Sequence, residues 1–108
     1  MAQDFERNIA NGVGTGATTL RTADSDDAIV GIMVANVTSS QITVEVYVTV
    51  SSVDYHLIKD APIPAGSSLQ VLDGGSKIVL QNGDQLFVQS NTDASLNCYV
   101  SFVDAIST

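Results

Sequence analysis

Residues 41–51 read QITVEVYVTVS, and this stretch decides the fold. Every second residue from position 42 to position 50 is isoleucine or valine, and the residues between them are Thr43, Glu45, Tyr47 and Thr49. Successive side chains of a β-strand point to opposite faces of a sheet, so this alternation predicts a strand with one buried face. A helix, with 3.6 residues per turn, would spread the same valines around its circumference. The chain is therefore expected to be built from β-sheet.

The alternation continues from residue 17 to residue 108. It recurs in about eight short strands, at 17–22, 28–37, 41–51, 53–59, 67–72, 76–81, 85–90 and 96–105. Turn residues separate them, and Ser51-Ser52, Asp73-Gly74-Gly75 and Asn82-Gly83-Asp84 are expected to close β-hairpins. We predict an all-β, two-sheet antiparallel β-sandwich, jelly-roll or immunoglobulin-like, over residues 17–108. Residues 28–37 are apolar on both faces, which is typical of a central strand or a subunit contact.

Residues 1–16 differ in composition from the rest. They are rich in residues that disfavour regular structure: Asn8, Asn11, Gly12, Gly14 and Gly16. Since glycine loses more conformational freedom than other residues when ordered, we expect an extended N-terminal arm here and not a strand. Phe5, Ile9 and Val13 recur at a spacing of four and are candidates for packing on a neighbouring protein or on the domain itself.

The charge balance excludes several partners. Twelve Asp and Glu residues oppose four Lys and Arg residues, so the net charge is −8. Nucleic-acid and anionic-lipid surfaces are bound by clustered cations, so we expect neither nucleic acid nor membrane as a partner. Cys98 is the single cysteine and alternates with apolar residues, which predicts a buried free thiol. The N-terminal residues lack the pattern of a signal peptide, and synthesis in a cytoplasm is expected.

The residues give little support for catalysis. His56 is the only histidine, and no G-x-S-x-G pattern places a serine nucleophile beside it. No phosphate-binding glycine motif is present. We therefore expect no enzymatic activity, no cofactor and no small-molecule substrate. One weak metal candidate is the turn that holds Asp24, Asp26 and Asp27, because Ca²⁺ favours clustered carboxylates. A solvated acidic turn is the alternative interpretation.

Two further features are candidates for partner contacts. Tyr47, Tyr55 and Tyr99 lie at outward positions of predicted strands, and exposed tyrosines are common at interfaces. Pairing of these tyrosines across strands on a solvated face is the alternative. Ile63 lies between Pro62 and Pro64 in APIPAG, where it would form a stiff apolar loop tip.

The chain resembles small structural proteins of tailed bacteriophages, especially those that infect marine cyanobacteria. The stretches that carry the resemblance are ERNIANGVGTGATTLRT (6–22), ITVEVYVTVSSVDYHLIKDAPIPAGSSLQVL (42–72), KIVLQNGDQLFVQS (77–90) and VSFVDAIS (100–107). Together they cover most of the chain. These stretches indicate a fold more than a particular function, since β-sandwiches serve many functions.

The resemblance implies a virion component present in many copies, made in the host cytoplasm and lacking a cofactor. Within that class we expect a capsid decoration (cement) protein that binds the major capsid protein or other virion proteins and self-associates. A tail, neck or baseplate accessory protein is the first alternative. A carbohydrate- or receptor-binding β-sandwich module, using the tyrosines or Asp24, Asp26 and Asp27, is the second.

Overall fold

Residues 4–72 and 78–104 are described in a computed structural model of the chain, and they form nine β-strands. In chain order these are β1 (Asp4–Val13), β2 (Thr18–Thr22), β3 (Asp27–Asn36), β4 (Ile42–Val50), β5 (Val53–Ile63), β6 (Ser68–Leu72), β7 (Ile78–Leu80), β8 (Gln85–Ser90) and β9 (Leu96–Asp104). These residues include no helix long and apolar enough to cross a membrane.

The strands form two antiparallel sheets that pack as a β-sandwich, as the alternating pattern predicted. Sheet A has the order β1-β9-β3-β6, and β7 also pairs with β3. Sheet B has the order β2-β8-β4-β5. The edge strands are thus β1 and β6–β7 in sheet A, and β2 and β5 in sheet B.

The core lies between the sheets and is almost wholly aliphatic. In β9 the inward residues are Leu96, Cys98, Val100 and Phe102, as the sequence predicted. In β4 they are Ile42, Val44, Val46 and Val48. Burial of each such side chain contributes about 1.5–3 kcal/mol, which makes this core the main source of stability.

Residues 4–13 are the first correction to the sequence analysis. They are extended, as expected of an arm, but they pair with β9 as an edge strand, with Phe5 opposite Val103 and Ile9 opposite Tyr99. The glycine that argued against a strand is accommodated in a β-bulge, where Gly12 has a φ of 67°. Val13 is buried in the core. Backbone pairing with β9 and burial of Val13 offset the conformational cost of glycine.

Strand β3 is central, as predicted, but its inward face changes along its length. A register shift against β9 lies between Ile29 and Gly31. Because a bulge adds one residue, Ile29 and Ile32 both face the core although they are three positions apart. The simple alternation placed Ile29 and Ile32 on opposite faces and was wrong there.

Of the two predicted hairpins whose turn residues are described, one is found. Val50 pairs with Val53 across Ser51 and Ser52, whose φ angles of 51° and 66° suit a two-residue turn of type I′. Strands β6 and β7 instead both pair with β3, and β7 and β8 belong to different sheets. Residues 82–84 therefore form a turn between sheets, whereas residues 73–77 lie outside the described part.

The proline segment also differs from its prediction. Strand β5 continues to Ile63, and Pro62 pairs with Thr43. An edge strand tolerates proline because one side of it has no partner strand that needs an N–H group. Ile63 is buried and is not an exposed loop tip. The buried Asn36 Nδ2 donates to the backbone oxygens of Ile63, at 3.0 Å, and Pro64, at 3.2 Å, which holds this segment against the domain.

Candidate interaction surface

The outer face of sheet A carries two apolar rows that cross the strands. One row runs through Phe5, Val103, Ala28 and Val79. The other runs through Ile9, Tyr99 and Met33 to Gln70. Both rows follow from strand register, since residues directly opposite each other in neighbouring strands point to the same face. We call this surface the apolar face.

Besides Val79, which is 57% exposed at the end of the first row, four side chains of the apolar face are exposed to an unusual degree for large hydrophobic residues. The exposed fraction is 82% for Phe5, 57% for Ile9, 41% for Met33 and 39% for Tyr99. Together they expose roughly 400 Å² of mainly apolar surface, which is near the size of the largest patch on a typical monomer. Such patches commonly mark sites where proteins bind one another.

Between the two rows lies a row of smaller side chains. Arg7 pairs with Ser101, which pairs with Gly31. Neighbouring rows are about 7 Å apart, since each lies two residues further along a strand. A depression of about 300 Å³ opens beside Ser101 and is lined by Phe5, Glu6, Arg7, Tyr99 and Ser101.

Arg7 is the only charged residue among the described side chains that point outward from sheet A. Within the described residues, no ion pair involves its guanidinium group. An apolar surface with one unpaired cation suits a partner that offers apolar side chains and a carboxylate.

Three of the predicted contact residues are thus brought together. Phe5, Ile9 and Tyr99 share the apolar face, and Met33 from the two-sided strand joins them. Met33 was not singled out as a contact residue because its neighbours in sequence are also apolar. Its position opposite Tyr99 depends on the bulge in β3. Val13 is buried in the core, so it packs on the domain itself, which was one of the two predicted options, and Ile63 is also buried and does not face a partner.

The other two tyrosines lie elsewhere. Tyr47 lies on the outer face of sheet B in a row with Phe87 and His56. Its ring centroid is 5.4 Å from that of Phe87 and 4.9 Å from that of His56, and Tyr47 is only 8% exposed. Tyr55, which is 56% exposed, lies on edge strand β5 opposite Val48. The three tyrosines therefore occupy three different surfaces.

Polar side chains of sheet B satisfy one another. His56 Nε2 lies 3.0 Å from Glu45 Oε1. Thr49 Oγ1 donates to Asp54 Oδ1 at 2.7 Å. His56 contacts the Glu45 carboxylate and the Tyr47 ring, and the hydrogen bonds between described residues give it no serine hydroxyl as partner. Asp54 bonds to Thr49 and not to His56, so these groups do not form the Ser–His–Asp arrangement that nucleophilic catalysis requires.

The acidic turn contributes to a cluster at one end of the sandwich. Arg21 Nε lies 2.8 Å from Asp27 Oδ2, and Arg21 Nη2 lies 3.2 Å from Asp24 Oδ1 and 3.3 Å from Asp104 Oδ1. Asp24, Asp27 and Asp104 each offer an oxygen within 4.8 Å of the others, and Asp26 is not part of this group. The guanidinium group of Arg21 neutralises these carboxylates, as a bound metal cation would otherwise do. The sequence pattern missed Arg21 and Asp104, because only the pairing of the sheets brings them to the turn.

The cluster joins the two sheets electrostatically. Hydrogen bonds with Asp27 and then Ser25 lower the pKa of Asp104, and the charge of Arg21 acts in the same direction. Burial by itself would lower the pKa of Arg21, but the hydrogen bond and the charges of the aspartates outweigh it and raise that pKa. Arg21 also lies over the Phe102 ring, 4.4 Å from its centroid. The arginine of sheet B is thus fixed against β3 and β9 of sheet A.

Cys98 is buried, as predicted. Its thiol is enclosed by the aliphatic core, and this burial raises its pKa to about 12. The thiolate is therefore disfavoured at neutral pH, and the residue packs as a small hydrophobic side chain.

Comparisons with known proteins support the fold. None of the protein-family models matches the chain, and no curated protein matches it. Among solved structures, a chain from the structure of infectious bursal disease virus Gx strain matches 98% of this chain, with a TM-score of 0.58 and 12% identity. This chain spans about a third of that one, 33%. A chain from the disulfide-linked pili of Bacillus endospore appendages matches with a TM-score of 0.54 and 12% identity, covering 98% of this chain and 88% of the other.

At this identity the likeness concerns the fold alone. It agrees with the two-sheet sandwich that the sequence predicted. The resemblance to phage virion proteins is finer than these matches and stays a prediction.

Proposed function

We propose that this chain is a virion structural protein present in many copies, and that it is a capsid decoration protein bound to the major capsid shell. The observation that carries the proposal is the apolar face of sheet A. Phe5 is 82% exposed in the described part of the chain, so little of its side chain is covered by the domain. Its exposure is accounted for if assembly covers it.

Three further observations support this function. The fold is shared with a chain from a virus structure and with a chain from pili, and both of these come from assemblies. The sequence resembles phage virion proteins over most of its length. The net charge of −8 suits a protein that must stay soluble before it assembles and then meets a basic patch on a shell.

A role without catalysis is part of the proposal. The single histidine, His56, is engaged with Glu45 and Tyr47 on an open sheet face. A tail, neck or baseplate position remains the alternative within the same class, because the apolar face suits any neighbour in a particle.

A carbohydrate-binding role has weaker support. Sugar rings bind to aromatic rings through exposed ring faces, but Tyr47 is packed between Phe87 and His56. Asp24 and Asp27 are already paired with Arg21. A glycan array, probed with and without a calcium chelator, should therefore show no binding.

Quantitative mass spectrometry of purified particles tests the proposal. A copy number close to that of the major capsid protein is the expected result. A few dozen copies or fewer would instead support the tail or neck position. Absence of the chain from particles would overturn both assignments.

Binding back to particles that lack the chain provides a second test. The Phe5→Ser variant should bind the particles less well than wild type, because it removes the most exposed side chain of the apolar face. The Val53→Ser variant is the matched control, since Val53 is also an exposed apolar residue but lies on β5. Equal binding by all three proteins would show that the apolar face is not the attachment surface.

A further inference from the structure

Two asparagines of this chain are followed directly by glycine, at Asn11-Gly12 and Asn82-Gly83. In such a pair the backbone nitrogen of the glycine can attack the side-chain carbonyl carbon of the asparagine, because glycine has no side chain that hinders the approach. The attack is intramolecular, so it needs the right geometry and no second reactant. Each pair is thus a chemical site whose rate depends on how the fold holds the glycine N–H group.

The reaction is a spontaneous deamidation. A bond forms between the glycine nitrogen and the asparagine Cγ, and the bond between Cγ and Nδ2 breaks. The Nδ2 group leaves as ammonia and takes up a proton in exchange for the one that the glycine nitrogen loses. Water then opens the succinimide ring at either of its carbonyl carbons, which gives aspartate or isoaspartate. Each product carries a carboxylate where the asparagine side chain was neutral.

Asn11-Gly12 lies in the β-bulge of strand β1. Its two residues lie opposite the single residue Asn97 of β9. The Gly12 N–H group donates to Asn97 Oδ1 at 3.2 Å, so a side-chain oxygen at the surface holds the attacking nitrogen. Asn11 and Gly12 are both exposed, and a Cβ atom at Gly12 would meet nothing within 4 Å beyond its chain neighbours. The succinimide ring therefore has room to close once that hydrogen bond opens.

Asn82-Gly83 is held more firmly, in the turn between β7 and β8. The Gly83 N–H group donates to the backbone oxygen of Ala23 at 2.8 Å, and Ala23 is buried. The backbone N–H of Asp84 donates to the Gln81 oxygen, and the Gln81 N–H donates to Asp84 Oδ2, both at 2.9 Å. A nitrogen that donates to a fixed backbone acceptor is less free to lose its proton and turn towards Cγ.

We infer that Asn11 is a deamidation site of the folded chain and that it reacts faster than Asn82. Asn97 sets the rate, because its side chain holds the Gly12 N–H group. Asn11 and Asn97 form the row next to the one that holds Ile9 and Tyr99, so the modification adds a negative charge at the border of the apolar face. The inference needs no partner and is independent of the proposed function.

Peptide mapping by mass spectrometry tests the site, after incubation of the chain at mildly alkaline pH, where the glycine nitrogen loses its proton more readily. In the folded chain the deamidated form of Asn11 should accumulate several-fold faster than that of Asn82. In guanidinium chloride the fold holds neither glycine, so both sites should react faster and at similar rates. Equal rates in the folded chain, or a faster reaction at Asn82, would overturn the inference.

Variants at position 97 test the protecting role of that side chain. Asn97→Ala removes the acceptor, so Asn11 should deamidate several-fold faster than in wild type. Asn97→Asp keeps an acceptor oxygen and should react no faster than wild type. The rate at Asn82 should be the same in all three proteins, which together with thermal melting shows that the variants are folded. If Asn11 reacts at its wild-type rate in a folded Asn97→Ala variant, the protecting role is overturned.

Discussion

The outer face of each sheet is formed by every second residue of its strands, but the two faces differ in which side chains they leave exposed. On sheet B, Tyr47 packs between Phe87 and His56, and His56 contacts Glu45. On sheet A, the equivalent outward positions of β1 and β9 hold Phe5, Ile9 and Tyr99, and each is more than a third exposed. Among the described residues, the outer face of sheet B covers the Tyr47 ring with neighbouring side chains, whereas the outer face of sheet A leaves Phe5, Ile9 and Tyr99 exposed.

The difference shows how an interface can be distinguished from ordinary surface in a β-sandwich. Aromatic residues occur on both outer faces, so their presence alone does not identify an interface. The deciding quantity is whether the neighbours in the same row cover them. In sheet B the row Phe87–Tyr47–His56 is continuous, but in sheet A the row beside the aromatics consists of Arg7, Ser101 and Gly31.

The largest expected effect separates the inner from the outer face of β9. Phe102→Ala should destabilise the domain by about 3–5 kcal/mol, because Phe102 is fully buried and Arg21 lies over its ring. Tyr99→Ala, three residues away on the outer face, should cost about 0.5 kcal/mol. Urea denaturation of both variants measures the difference, and equal losses would contradict the register of β9.

The next effect contrasts the two outer faces directly. Tyr47→Ala should destabilise the domain by about 2–3 kcal/mol, because it removes a ring packed on both sides, and should leave binding to particles that lack the chain unchanged. Phe5→Ser should leave the stability nearly unchanged and weaken binding to the particles. Melting temperature and binding back to particles that lack the chain, measured on both variants, check the contrast. A Tyr47 variant that is stable but no longer binds the particles would contradict the roles assigned to the two sheets.

A smaller, pH-dependent effect concerns the cluster that joins the sheets. Because the pKa of Asp104 in the folded chain is lowered from its ordinary value of 3.8, its ionised form contributes stability above that value and loses it as the pH falls through the folded pKa. Asp104→Asn should therefore melt at a lower temperature than wild type at pH 7. The two curves should converge at acidic pH. A constant difference across the pH range would mean that ionisation of Asp104 does not stabilise the fold.

The smallest expected effect concerns the reactivity of the Cys98 thiol. Cys98 faces the core and has a pKa of about 12, so a thiol reagent at mildly alkaline pH should label it only after unfolding. The Tyr99→Cys variant provides the control, since position 99 is its neighbour on the exposed face. Rapid labelling of Cys98 in the folded wild type would contradict its inward orientation.

Much of the fold was predictable because alternation is a local signal. The inward residues of β4 and β9 followed directly from it. The errors arose where long-range pairing overrides local preference. Residues 4–13 form a strand because β9 offers them a pairing edge, and β7 and β8 form no hairpin across residues 82–84 because they belong to different sheets.

The candidate site was predictable only in part. Phe5, Ile9 and Tyr99 were identified as exposed apolar residues, but nothing local indicated that they share one face. Their grouping depends on the pairing of the first and last strands. Ile63 was misplaced because the hydrogen bonds that hold its segment come from Asn36, 27 residues earlier in the chain. Arg21 and Asp104 meet across 83 residues for the same kind of reason.

Hydroxyl-radical footprinting of the chain, free in solution and within the purified particle, tests the central claim most directly. If the apolar face is an assembly surface, Phe5, Met33 and Tyr99 should be modified several-fold less in the particle than in the free chain. His56, on the opposite face, should react to a similar extent in both states. Equal modification of Phe5, Met33 and Tyr99 in the two states would contradict the account.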